Sequence, residues 1–138
     1  MPHLMIVFNW REEASQIFGK IKRPIAEIYI KDTRGEWHPL TLYVDSGADV
    51  TIIRRSYGEL LGLDVEAGRP AEFRGFGKGE IKTFLHNLEL KIGNIVIKTK
   101  VAICRNDEVP NVLGRVGVFD KLKVLFLNGK EQTGFLAA

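Results

Sequence analysis

Ile28 and Ile30 are spaced by Glu27, Tyr29 and Lys31, a period of two that predicts a half-buried strand beginning near Ile25. Asp32-Thr33-Arg34-Gly35 has turn chemistry. Residues 25–44 therefore read as a hairpin whose second arm ends in Leu40-Thr41-Leu42-Tyr43-Val44. Ahead of it, residues 11–19 read as a surface turn or short helix. Behind it, Asp45-Ser46-Gly47-Ala48 makes a tight turn, and Val50, Ile52 and Ile53 resume an extended run. Ser56 is the expected cap of a short helix over residues 57–61, which Gly62 ends. Residues 74–80 carry glycines at 75, 77 and 79 and predict a mobile hairpin tip. Strands are expected over 85–92 and 95–104, joined by Gly93-Asn94, with a short strand at Val112-Leu113. One or two helical turns over 116–121 and a last strand over 123–127 complete the expectation, with a turn at Asn128-Gly129. The sum is an all-β chain with one or two short helices, arranged as a small closed β-barrel.

Composition narrows the class. With 138 residues, 45% apolar and 27% charged, the chain reads as one globular domain over 1–138, without repeat, low-complexity tract or linker. The longest apolar run, Leu4–Phe8, is far short of the roughly 18 residues of a membrane span and lacks signal-peptide flanks. The expectation is a cytoplasmic protein with no membrane partner. A single cysteine, Cys104, excludes an internal disulfide and a cysteine metal cage, and reads as a small buried residue. The net charge of +3 is spread along the chain, so no nucleic-acid partner is expected. His3, His38 and His86 form no close pair and read as surface or turn residues, so no metal or cofactor is expected.

Several chemistries are absent. Ser46 has no glycine two residues before it and is no nucleophile elbow. Gly75-Phe76-Gly77-Lys78-Gly79 lacks both the dinucleotide spacing and the Gly-Lys-Ser/Thr of a phosphate loop. The informative segment is Leu42-Tyr43-Val44-Asp45-Ser46-Gly47-Ala48-Asp49. An ionised aspartate directly after apolar strand residues sits in an unusual place unless it is paired or functional. By itself the segment reads first as an Asx-type turn in which Asp45 caps backbone groups.

The second segment, Asn111-Val112-Leu113-Gly114-Arg115, repeats the form apolar, apolar, glycine, polar. Together the two segments resemble the retropepsin-like aspartic peptidases, whose Asp-Thr/Ser-Gly-Ala follows an apolar strand and is backed by a later apolar-apolar-Gly-Arg. The resemblance is closest to prokaryotic single-domain members, through Leu61-Gly62-Leu63, Leu113-Gly114-Arg115 and Phe119-Asp120. It covers about residues 25–127.

The resemblance implies a homodimeric aspartic endopeptidase acting on a peptide or protein substrate. Each chain gives one Asp45 to a proton-sharing pair on the two-fold axis, because a chain of this length holds a single Asp-Ser-Gly. It implies that Ser46 and Gly47 form the active-site loop. Ala48, Asp49, Ile52, Gly75, Phe76, Gly77, Val109, Pro110 and Val112 contact substrate, and Gly114 and Arg115 support the loop, with Arg115 pairing Asp49. Residues 75–79 become the flap. Departures are serine for the commoner threonine at 46, a lysine near the flap tip, and termini unlike the viral enzymes. Residues 1–10 and 124–138 are the candidate dimer strands. Two other readings stay open: a peptide-binding dimer of the same fold without turnover, and a basic β-barrel binding nucleic acid.

Overall fold

The computed structural model describes residues 4–137. His3, the first residues of the 1–10 segment, and Ala138 lie outside the described residues. In chain order the strands are β1 (Ile6–Asn9), β2 (Arg11–Ser15), β3 (Gly19–Arg23), β4 (Ile25–Lys31), β5 (Trp37–Val44) and β6 (Thr51–Ile53). After helix α1 (Arg55–Leu60) come β7 (Arg69–Arg74), β8 (Glu80–Ile92), β9 (Ile95–Cys104), β10 (Val112–Leu113), β11 (Leu122–Leu127) and β12 (Gln132–Ala137).

Six strands close a ring in the order β4, β5, β10, β6, β9, β8. The ring shuts because β8 is 13 residues long and serves different partners along its length. Its first half pairs β7, while Leu90 and Lys91 near its end pair Ile30 and Tyr29 of β4. Alternation sets the inner face. Ile28, Ile30, Leu42, Leu90, Ile92, Val101 and Ile103 are fully or almost fully buried, and Glu27 points to solvent. The strand β6 is buried throughout because it lies between β10 and β9.

Outside the ring, β1, β12 and β11 form an antiparallel sheet, and β2 and β3 form a hairpin. The fully buried Phe135 anchors the terminal sheet to the core and meets Phe8 edge-to-face at 5.8 Å. Both terminal segments named as dimer candidates thus contribute strands to one sheet of a single chain. Among the described residues no helix is long and apolar enough to cross a membrane.

Four local expectations are corrected. Residues 11–19 form no helix, and the turn is only the exposed 16–18 tip of a hairpin: β2 and the start of β3 flank it, in register from Arg11↔Arg23 to Ser15↔Gly19. Helix α1 begins at Arg55 rather than after Ser56, and no side chain at its own N-cap bonds it. Its first amides are instead met from the 106–111 loop. Ser56 N–H donates to Asp107 Oδ1 at 2.9 Å, and Arg54 N–H to Asn111 Oδ1 at 2.8 Å. Residues 116–121 form no regular helix, because Gly117 sits at φ 79° and breaks the coil after one wide turn. The strand over 122–127 is not the last, since β12 follows it.

The histidine expectation is also corrected. His38 and His86 lie within β5 and β8 and are half-buried, His86 bonding the carbonyl of Val65 at 2.9 Å. Cys104 is buried, and burial, with Asp107 nearby, pushes its thiol up to about 11.

Candidate active site

The two motifs meet because β10 inserts between β5 and β6. Val112 and Leu113 run parallel to Tyr43 and Val44, and Val112 also faces Ile52 across an antiparallel step. Main-chain bonds extend this pairing to the aspartate. Tyr43 N–H donates to Asn111 O at 3.0 Å, and Asp45 N–H to Leu113 O at 3.1 Å. Val44 N–H reaches Pro24 O at 3.1 Å. The loop then turns on itself. Gly47 N–H donates to Asp45 Oδ1 at 2.9 Å and Ala48 N–H to Asp45 O at 3.2 Å. This is an Asx-type turn, and it coexists with a half-buried carboxylate that lines a cleft. Among the described residues no other hydrogen bond reaches that carboxylate.

The Gly-Arg segment clamps the loop from behind. Arg115 N–H donates to Ala48 O and Val116 N–H to Asp49 O, both at 2.9 Å. Buried Gly114 N–H donates to the Thr51 hydroxyl at 3.1 Å. A side chain at Gly114 has no room, because a Cβ there would overlap the Val50 carbonyl and come within 2.9 Å of Thr51 N. Arg115 Nη2 lies 2.8 Å from Asp49 Oδ1, with side chains 57% and 70% exposed. A pair so exposed contributes at most about 1 kcal/mol. We therefore expect Arg115→Met to lower unfolding stability by no more than about 1 kcal/mol in a urea titration, since both main-chain clamps persist. A much larger loss would make the side chain, not the backbone, the support.

Two cavities flank Asp45. One, of about 430 Å³, is lined by Arg23, Pro24, Tyr43, Val44, Asp45, Phe76, Pro110 and Val112. The other, of about 260 Å³, includes Asp45, Gly47, Ala48, Asp49, Val50 and Ile52 with Phe73, Arg74, Gly75 and Phe76. Asp45 and Phe76 border both. Phe76 reaches them from the β7–β8 tip, where Lys78 N–H donates to Gly75 O at 3.1 Å. Phe76 and Gly77 hold φ of 56° and 66°, the paired positive values of a type I′ turn. Gly77 adopts this freely, whereas for Phe76 the conformation costs on the order of 1 kcal/mol. The residue thus borders both cavities at some local strain.

Not every residue implied by the resemblance gathers there. Ser46 and Gly77 line neither cavity, and Val109 is buried in a small cluster with Val50, Ile52 and Val112, bordering a different pocket. Ile52 is both core and cavity wall, at 5% exposure. Sequence reasoning missed Arg23, Pro24, Tyr43, Phe73 and Arg74. Tyr43 and Phe73 were legible in principle, each within two residues of a motif. Its hydroxyl ties Tyr43 to the β2–β3 hairpin, donating to Glu13 Oε2 at 2.6 Å and accepting from Arg11 Nη2 at 3.0 Å. That network, Tyr43 first, holds the Glu13 carboxyl below its usual range.

Asp32, Glu36 and His38 bring three potential metal-ligand atoms within 4.8 Å of one another. The Asp32 oxygens are already occupied by Arg34 N–H and Glu36 N–H at 2.8 Å and by His38 Nε2 at 2.7 Å. His38, followed by the Glu36 amide, draws the Asp32 carboxyl below its usual range. This cluster locks the β4–β5 turn, roughly 23 Å of strand away from Asp45.

The aspartyl protease family model matches residues 26–116, more than half of the chain. The chain belongs to the aspartyl protease family. The fold is that of a retropepsin-like member. It is similar to EIAV protease complexed with the inhibitor HBY-793, with a TM-score of 0.50 and 29% identity over 68% of this chain and 83% of that one. It is also similar to DNA damage-inducible protein 1 of Yarrowia lipolytica (strain CLIB 122 / E 150), 32% identical over 81 residues. That match takes in 56% of this chain and spans 20% of the relative's length. The hydrolase character belongs to the family. The matched segment holds most of β4 and runs through β10, and β1–β3, β11 and β12 lie outside it.

Proposed function

We propose that residues 1–138 are a single retropepsin-like domain, of the prokaryotic single-domain kind, that works as a homodimeric aspartic endopeptidase. The observation that carries the reading is Asp45, held by an Asx-type turn and bordering two cavities that Phe76 also lines. One chain supplies one such carboxylate. Peptide hydrolysis by aspartates needs two that share a proton, so the second is Asp45 of another copy across a two-fold axis. The like charges repel, and the pair titrates as a unit. The ionised member takes a proton from water, and the protonated member polarises the scissile carbonyl. The tetrahedral adduct then breaks its C–N bond, and the proton passes to the leaving amine.

Around the pair, Ser46 would link the two loops across the axis, which suits its exposure and its absence from both cavities. The Gly47 carbonyl and Asp49 would bond the peptide main chain, and Ala48, Ile52, Pro110 and Val112 would receive apolar side chains. Gly75, Phe76 and Gly77 would close over the peptide.

The test is turnover against protein concentration with an apolar-centred reporter peptide, alongside sedimentation of the same samples. Specific activity should fall on dilution in step with the dimer fraction. Activity of a monomeric species would overturn the proposal, and peptide bound by the dimer without cleavage would replace it with the non-hydrolytic binding reading.

A further inference from the structure

Each cavity beside Asp45 carries an arginine, and the two come from different elements. Arg23 ends β3 and borders the larger cavity; Arg74 ends β7 and borders the smaller. The ionised groups lining the two spaces are Asp45, Asp49, Arg23 and Arg74. Asp49 is already paired with Arg115. Arg23 has Glu13 at 3.2 Å, but that one carboxylate also serves Arg11 at 3.1 Å, so two guanidinium groups share a single negative charge. Arg74 stands 3.7 Å from Glu80 with its side chain 85% exposed, too loose and too wet a pair to hold it. Lys78 adds another positive charge at the flap tip. The walls nearest Asp45 are apolar, and the charges beyond them are in net excess positive.

We infer that the cleft selects peptides with an apolar centre flanked by acidic side chains, and that Arg23 and Arg74 make the selection. The inference rests on the proposed seating of a peptide in this cleft. A glutamate beside the apolar centre meets a guanidinium able to take a carboxylate bidentately, whereas a lysine there meets a like charge. Because Arg23 lies outside the segment shared with the family, the preference is a property of this chain's N-terminal hairpin as much as of its flap.

The experiment uses three fluorescently labelled peptides with one apolar centre and flanking Glu, Gln or Lys, with binding read by anisotropy and cleavage by mass spectrometry. Binding should rank Glu over Gln over Lys, with a gap that narrows as salt is raised. Arg23→Gln and Arg74→Gln should each reduce the Glu-to-Gln affinity ratio about threefold. Circular dichroism and sedimentation establish that each variant folds and associates, and the ratio within one variant cancels any general loss of affinity. Equal binding of the three peptides, or a ratio unchanged in both variants, would overturn the inference. Acid-selective binding without cleavage would support it and overturn the proposed hydrolysis instead.

Discussion

Replacing Asp45 by asparagine is expected to abolish peptide cleavage and leave the fold standing. The expected fall in kcat/KM is at least about 10³-fold, because a carboxamide neither takes a proton from water nor shares one with its partner. In a two-fold dimer the substitution removes both carboxylates at once. Stability should change by less than about 0.5 kcal/mol, because the asparagine oxygen still accepts from Gly47 N–H and the half-buried side chain has no other bonded neighbour among the described residues. Fragment analysis by chromatography, with thermal unfolding of the same preparation, reads both quantities. Cleavage that persists in a clean Asp45→Asn preparation would remove Asp45 from the chemistry.

Gly114→Ala should cost about 3 kcal/mol of unfolding free energy and most of the activity with it. The cause is steric, not conformational: at φ −107° any residue is comfortable, but the added methyl would occupy the Val50 carbonyl. Relief requires β10 and the 47–50 turn to separate. That motion strains the Gly114–Thr51 bond and, one residue away, the Leu113–Asp45 bond that fixes the aspartate. Gly129→Ala is the control, since a Cβ there meets nothing within 4 Å. Urea unfolding midpoints compare the two. Equal midpoints would show that the junction between the motifs is not packed as described.

The legible parts of the molecule are those whose signal is local. The β4–β5 hairpin was readable from alternation and from Asp32, which accepts two amides of its own turn. Residues 75–79 were readable as a tip because positive φ at Gly77 and Gly79 suits glycine. What was not legible depends on distant partners. Arg11–Ser15 is almost entirely polar and shows no alternation, yet it is a strand because β3 folds back on it and Glu13 bonds Tyr43. The start of α1 was misplaced because its capping oxygens belong to Asp107 and Asn111, some fifty residues on. The strand β12 hides in a segment with one glycine and one threonine, both buried between neighbouring strands. Arg23 carries no motif and Arg74 only opens the glycine-rich segment, and only folding sets the two beside the same aspartate.

By itself the sequence determined that the chain is built of strands, that Asp45 ends one of them in a tight turn, and that a second apolar-apolar-Gly segment lies far downstream. These follow from side-chain period and turn chemistry, which act over a few residues. Only the tertiary structure decided that β10 enters between β5 and β6, that Phe76 lies across two cavities, and that arginines border both. Those are outcomes of long-range strand pairing, whose partners are fixed by burial of the whole barrel rather than by any neighbouring residue.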